Sequence, residues 1–351
     1  MRSPRGLEER TVDHPHDHND TSHADRPSGS AAPGRSGADR VAPAGDAAFA
    51  RWLAERAGRL LVELRAELGF GDPAKLRAEG DRRSHELLVA ELARWRPGDA
   101  VLSEEGTRDE AADEARAAAE RVWIVDPLDG TREFAEEGRT DWAVHVALWQ
   151  RRAEAARRAP ASETDLVAST GAVPSAGSAA APGPAGGTDG AGRGEVRPMP
   201  GRLVAGAVGL PAQAGGTVLG TDIPPAYPPM LGGPIRLVAS RTRPPAFLEA
   251  LCERLAAEHP DGAVIVPMGS AGAKMAAVVQ GTVDAYVHAG GQYEWDSAAP
   301  VAVAQAAGLH ASRVDGAPLA YNRVDPWLPD VLVCRRDLAE PVLAALSRLE
   351  L

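Results

Sequence analysis

A mixed α+β fold is predicted by three features of the chain. Two amphipathic helical patterns open its folded part, short strand patterns follow between residues 100 and 210, and from Ile235 onward strand and helix patterns alternate. Of the 351 residues, roughly 250 carry the apolar periodicity of a substantial core. Residues 1–45 mix His, Asp, Arg, Pro and Gly without such periodicity, and residues 153–200 are an Ala/Gly/Pro/Ser tract; neither buries enough surface to offset ordering. The expected organisation is a disordered arm over 1–45, an N-terminal α+β half over 46–234 that carries the 153–200 insert, and a C-terminal α/β half over 235–351.

The elements follow in order. Phe49, Leu53, Ala57, Leu60, Leu61 and Leu64 recur at helical spacing and predict a helix over Asp46–Leu68. Leu87, Leu88, Leu92 and Ala93 predict a second over Asp81–Arg94, with Asp81 and Ser84 near its start. Pro97-Gly98-Asp99 then turns the chain into a strand, Ala100–Leu102, which runs into Ser103-Glu104-Glu105. Trp123-Ile124-Val125 reads as a buried strand broken by Pro127 and Gly130. Trp142–Trp149 alternates as a strand and Leu203–Leu210 resumes the pattern, so the insert reads as an expanded hairpin loop. The second half predicts strands at Ile235–Ala239, Ala263–Val266, Ala285–His288 and Val331–Cys334. Helices are expected over Pro245–Glu258, Ala271–Gln280, Asp296–Ala307 and Leu338–Leu349.

Composition excludes several classes of function. A formal net charge of −11 opposes nonspecific binding to nucleic acid, which depends on cationic neutralisation of phosphates. The N-terminus lacks an apolar stretch after its basic residues and no apolar run approaches ~18 residues, so a cytoplasmic protein without a membrane span is expected. Cys252 and Cys334 sit in apolar patterns and read as buried thiols of a reducing compartment. All but two of the 38 cationic side chains are arginine, the exceptions being Lys75 and Lys274. His14, His16 and His18 have the composition of a transition-metal tract but read as part of a solvated tail.

The chemistry concentrates in residues 123–134, where an apolar strand runs into Asp126, Asp129 and a glycine turn. Mg²⁺ takes hard oxygen ligands in an octahedron at about 2.1 Å and leaves positions for water and phosphate. Backbone N–H groups of Gly130-Thr131 are well placed to meet that phosphate. Glu104-Glu105 and Glu294-Trp295-Asp296 add carboxylates at the ends of other elements. Ionised carboxylates share a small volume only when cations compensate them. Singly, each segment has a plainer reading: an acidic turn for Glu104-Glu105, a helix cap for Asp296. Together they suggest a two- or three-metal centre, and two ions about 3.5–4 Å apart suit in-line phosphoryl displacement.

Asp126-Pro127-Leu128-Asp129-Gly130-Thr131 and Trp295-Asp296-Ser297-Ala298-Ala299 make the chain resemble the inositol monophosphatase superfamily of lithium-sensitive, Mg²⁺-dependent phosphatases, over roughly residues 46–335 without the insert. Its flanks, Val101–Glu105, Arg132-Glu133-Phe134 and Gly316–Asn322, are similar to the 3′(2′),5′-bisphosphate nucleotidase branch that acts on 3′-phosphoadenosine 5′-phosphate, a by-product of sulfate assimilation. The resemblance implies a layered αβαβα sugar-phosphatase fold and two or three Mg²⁺ ions held by Glu104, Asp126, Asp129, Asp296 and the Leu128 carbonyl. It further implies that Asp81 and Thr131 orient and deprotonate the attacking water, and that Gly130 and Thr131 hold the scissile phosphate. Ser240, Arg241, Gly269, Ser270 and Lys274 are expected to contact the rest of the substrate, although Lys274 also fits a surface helix position. Family members commonly form homodimers. Inositol 1-phosphate or fructose 1,6-bisphosphate remain alternative substrates, and a noncatalytic phosphometabolite sensor is a reading of another class. The chain departs from the family pattern in the reduced run Ala78-Glu79-Gly80-Asp81 and in Pro300, which is expected to remove a backbone bond early in its helix and adjust the first turn.

Overall fold

The computed structural model describes residues 41–106, 109–152, 201–213, 215–229 and 232–349; nearly all of the arm, the whole insert and His14, His16 and His18 lie outside them. In chain order the elements are α1 (Asp46–Leu68), α2 (Pro73–Trp95), β1 (Ala100–Ser103), α3 (Glu110–Ala117), β2 (Arg121–Asp129), α4 (Thr131–Phe134), β3 (Ala143–Arg151), β4 (Gly201–Leu210) and β5 (Thr217–Gly220). The second half adds β6 (Ile235–Ser240), α5 (Leu248–Glu258), β7 (Ala263–Met268), α6 (Ala271–Val279), β8 (Ala285–Tyr293), α7 (Glu294–Ala306), β9 (His310–Ser312), β10 (Trp327–Cys334) and α8 (Arg336–Leu346).

Sheet 1 has the order β1-β2-β3-β4-β5, with β1 parallel to β2 and the other pairs antiparallel. Sheet 2 has the order β7-β6-β8-β10-β9, with β6 parallel to both neighbours and β10 antiparallel to both of its own. Helices α1 and α2 cover the outer face of sheet 1, α6 and α7 fill the space between the sheets, and α5 and α8 cover the far face of sheet 2. That is the αβαβα layering expected above.

Strand alternation explains why the central strands read as unbroken apolar runs. Along β2, Trp123 and Val125 point into the core shared with α1 and α2, whereas Val122 and Ile124 point into the core around α6 and α7. Along β10, Val331 and Val333 face that middle core, and Leu332 and Cys334 face α5 and α8. Cys334 is a buried free thiol, and Cys252 on α5 is a partly buried one.

Strands β8 and β10 are longer than expected, reaching Tyr293 and starting at Trp327, and α8 spans Arg336–Leu346 instead of Leu338–Leu349; four further differences have a local cause. Helix α2 starts at Pro73, not Asp81, because Asp72 accepts a hydrogen bond from Lys75 N (3.0 Å) and Pro73 occupies the first turn, where its missing N–H costs nothing. Gly80, in the reduced run Ala78-Glu79-Gly80-Asp81, lies mid-helix. Pro127 does not break β2: the strand continues to Asp129 through an irregularity between Asp126 and Asp129. Asp296 is the third residue of α7 and not its N-cap; its Oδ2 accepts from the backbone N of Tyr293 at 2.6 Å. Helix α5 begins at Leu248, after the loop prolines Pro244 and Pro245. Helix α7 runs through Pro300 without a break; as expected, the proline removes one backbone bond, leaving the Asp296 carbonyl without a helical donor.

Candidate metal and phosphate site

The site forms where β2 ends beside the first turns of α6 and α7. The irregularity at Pro127 lets β2 present two carboxylates instead of one: Asp126 accepts from Leu128 N (3.0 Å), and Asp129 lies three residues on. Gly130 follows at φ 87°, a backbone region that disfavours side chains, and a Cβ there would meet the Ser270 Cβ at 2.9 Å. The tight turn sets Thr131 back over the strand end. Its hydroxyl lies 3.2 Å from the Leu128 carbonyl and 3.4 Å from Asp81 Oδ1.

Asp81 arrives from α2, whose approach depends on Gly80. A Cβ at Gly80 would sit 2.8 Å from both Leu128 Cδ2 and Phe134 Cε1, so only a glycine lets the helix lie this close to β2. Ser84, one turn on, pins the same contact by donating to the Pro127 carbonyl at 2.7 Å.

Asp129 is the most heavily bonded of the acids. Its carboxylate accepts from Ser270 Oγ (2.6 Å), Ala271 N (3.2 Å) and Gly272 N (2.5 Å), all at the start of α6. Ser270 holds a φ of 49° and also caps α6 through Ala273 N (2.9 Å). The remaining acids are less well provided. Burial, reinforced by Glu104, Asp129 and Asp296, drives the Asp126 carboxyl well above its ordinary range. Burial, and next the charge of Asp296, pushes Glu104 up to about 8, although the residue stands exposed at the rim. Burial and Asp129 push Asp296 to about 7. Asp81 also rises to about 7, first through burial and then through Glu105. Glu104, Asp126, Asp129 and Asp296 repel one another across a corner whose floor, Asp126 and Asp129, is buried and whose rim, Glu104, is exposed; that donor set fits hard divalent cations, which would hold the carboxyls ionised.

His145 belongs to the same corner and was missed in the sequence, where it sits inside an apolar strand. It is fully buried on β3, with Nδ1 3.0 Å from the Trp295 carbonyl and 4.0 Å from Asp126, and Nε2 3.3 Å from Asp129 Oδ2. Burial holds its pKa below the usual histidine range. Asp126, Asp129 and His145 bring ligand atoms within 4.8 Å of one another. Gly272 makes room for the ring, since a Cβ there would lie 1.8 Å from Nε2. The only early signal was a polar residue at an inward-facing strand position.

Beyond the acids a cleft of about 930 Å³ opens, lined by Asp129, Gly130, Thr131, Ser240, Gly269, Ser270, Lys274 and Asp296 among others. Lys274 is buried, not a surface residue; Nζ donates to Ser270 O (2.6 Å) and Gly269 O (3.3 Å), and burial lowers its pKa. Arg241 points elsewhere, paired with Glu133 (2.8 Å) and Glu136 (3.1 Å), and Arg243 takes the place on the cleft wall. At the start of α7, Glu294 is fully buried and accepts from Asn322 N (2.7 Å) and Arg323 N (2.9 Å), while Arg116 donates to Asn322 Oδ1 (2.7 Å). These bonds tie the Gly316–Asn322 stretch to the turn that carries Asp296.

The model of the inositol monophosphatase family matches residues 48–155 and 198–350. The 3′-phosphoadenosine 5′-phosphate phosphatase of Mycobacterium leprae is 46% identical over 305 residues, 86% of this chain and 93% of that protein. Its Mycobacterium bovis counterpart is 45% identical over 293 residues, 83% of this chain and 89% of that protein. Among solved structures, CysQ from Bacteroides thetaiotaomicron superposes with a TM-score of 0.54 at 23% identity, covering 81% of this chain and 94% of that one. Mycobacterium tuberculosis SuhB gives a TM-score of 0.54 at 22% identity, with 88% and 97% covered. These two establish the fold. The motifs, the layering and the extent of the matches make this chain a member of the inositol monophosphatase family.

Proposed function

We propose that the protein hydrolyses the 3′-phosphate of 3′-phosphoadenosine 5′-phosphate, giving AMP and inorganic phosphate, in the cytoplasm and as part of sulfate assimilation. The observation that carries the chemistry is the cluster of Asp126, Asp129 and His145, whose ligand atoms lie within 4.8 Å of one another, beside the Asp81–Thr131 pair, with Glu104 and Asp296 near enough to raise the Asp126 carboxyl. The substrate rests on the similarity, over most of both chains, to phosphatases named for that nucleotide.

Glu104, Asp126, Asp129, Asp296 and the Leu128 carbonyl are the residues that would hold two or three Mg²⁺ ions. When bound, Mg²⁺ supplies Lewis-acid activation of water and neutralises phosphate charge. The protein's own contribution is positional and protolytic. Thr131 Oγ1, 3.4 Å from Asp81 Oδ1, orients the water and passes a proton to that carboxylate. As the bond from water oxygen to phosphorus forms, the bond from phosphorus to the ribose 3′-oxygen breaks, and that oxygen departs with the bonding pair and takes a proton from solvent. Gly130 and Thr131 N–H groups meet the phosphate oxygens, and Ser240, Gly269, Ser270 and Lys274 line the space for the remainder of the substrate.

Phosphate release from 3′-phosphoadenosine 5′-phosphate, inositol 1-phosphate and fructose 1,6-bisphosphate, with Mg²⁺, EDTA or added Li⁺, tests the proposal. Preference for the nucleotide, lost in EDTA and inhibited by Li⁺, is the expected result. Preference for an inositol or sugar phosphate would overturn the substrate and keep the site; metal-independent or absent turnover would overturn both.

A further inference from the structure

The cleft is much larger than a phosphate needs, and its far wall differs chemically from the acidic end. Among the described residues three aromatic side chains are strongly exposed, and two of them, Tyr293 (39%) and Trp327 (41%), line this cleft. They are cross-strand partners at the end of β8 and the start of β10, with ring centroids 5.5 Å apart and planes at 82°. Tyr293 also stacks on the buried Trp295 at 4.6 Å and 13°, so the wall is anchored to the turn that carries Asp296.

The backbone is adapted to hold the indole there. Gly291 has φ 94°, and a Cβ on it would lie 1.7 Å from the Trp327 ring, so no other residue leaves room for that side chain. Two rigid aromatic surfaces facing water at the mouth of a polar cleft are a poor solution for stability and a good one for a flat, apolar-faced ligand. Arg243 lines the same cleft, and among the described residues its guanidinium makes no ion pair, which adds positive charge suited to a second phosphate.

We propose that Tyr293 and Trp327 form the wall on which the purine of the substrate stacks, with Arg243 facing the phosphate that is not cleaved. This assignment rests on the nucleotide reading above and supplies its selectivity: a cyclitol or sugar phosphate has no π face to offer.

The test compares wild type, Trp327→Ala and Trp327→Phe in two assays with Mg²⁺ present. One is kcat/KM for 3′-phosphoadenosine 5′-phosphate relative to inositol 1-phosphate; the other is calorimetric binding of AMP. Stacking on one aromatic side chain predicts that Trp327→Ala lowers the ratio on the order of 10-fold, through KM, and weakens AMP by a similar factor. Trp327→Phe should restore most of both. An unchanged ratio with unchanged AMP affinity would overturn the wall, as would an equal loss of kcat on both substrates with KM unmoved, which marks a structural role. Should the wild type prefer inositol 1-phosphate, the nucleotide reading fails separately and AMP binding decides: sensitivity to Trp327→Ala supports the wall, insensitivity overturns it.

Discussion

At Asp129 two demands meet on one carboxylate: in the proposed site it would hold a cation, and in the fold it seats the start of α6. Three donors from Ser270, Ala271 and Gly272 meet the second demand. Asp129→Asn keeps the shape but halves the acceptor capacity, so turnover should fall by more than about 100-fold, beyond the usual effect of an outer-shell change. Circular dichroism should still show a folded protein, and an active variant would refute the metal assignment. His145 touches both metal motifs without sitting in either. His145→Ala should weaken activating Mg²⁺ by roughly 10- to 100-fold, read as a shifted Mg²⁺ dependence of the rate. An unshifted dependence would reduce the histidine to core packing.

Among the elements, α2 shows most clearly what a linear pattern conveys. Its apolar second half was legible from Leu87, Leu88 and Leu92, but its first two turns were not, because before Asp81 only Leu76 and Gly80 face the core and Gly80 shows its role only with Leu128 and Phe134 against it. The DPLDGT and WDSAA segments announced their acids because motif residues are local in the chain. His145 and the Tyr293–Trp327 pair stayed hidden because their meaning comes from partners 150, 16 and 34 positions away. The glycine makes a prediction for its helix. Gly80→Ala forces α2 outward by tenths of an ångström or more, costs about 1–3 kcal/mol of stability, and separates Asp81 from Thr131. Chemical denaturation and kcat should therefore both fall. A stable variant with reduced kcat would show that the spacing matters to the chemistry alone; normal kcat would refute the role of the Asp81–Thr131 pair.

At the scale of the whole molecule, the acidic corner joins sheet 1, through Asp126 and Asp129, to α7 and the second half, through Asp296. In metal-free protein Glu104 and Asp296 have pKa values raised to about 8 and about 7, against ordinary values near 4. Their contribution to stability is thus complete below about pH 4 and is lost as pH rises through 7 to 8. Divalent cation reverses the loss, so Mg²⁺ should raise Tm more at pH 8 than at pH 6. Equal shifts at both pH values would contradict the arrangement.

The position of the β3–β4 junction has a practical consequence. Arg151 pairs with Gly201 at the β3–β4 junction, and Ala143, at the other end of β3, pairs with Asp129. Eight strand residues, about 25 Å, separate that junction from the chemistry. Closing a longer loop costs only about 0.6 kcal/mol per doubling of its length. The junction is therefore a natural port for protein engineering: a short turn, an affinity tag or a fluorescent domain can be spliced between residues 152 and 200, and the recombinant enzyme should keep its kcat.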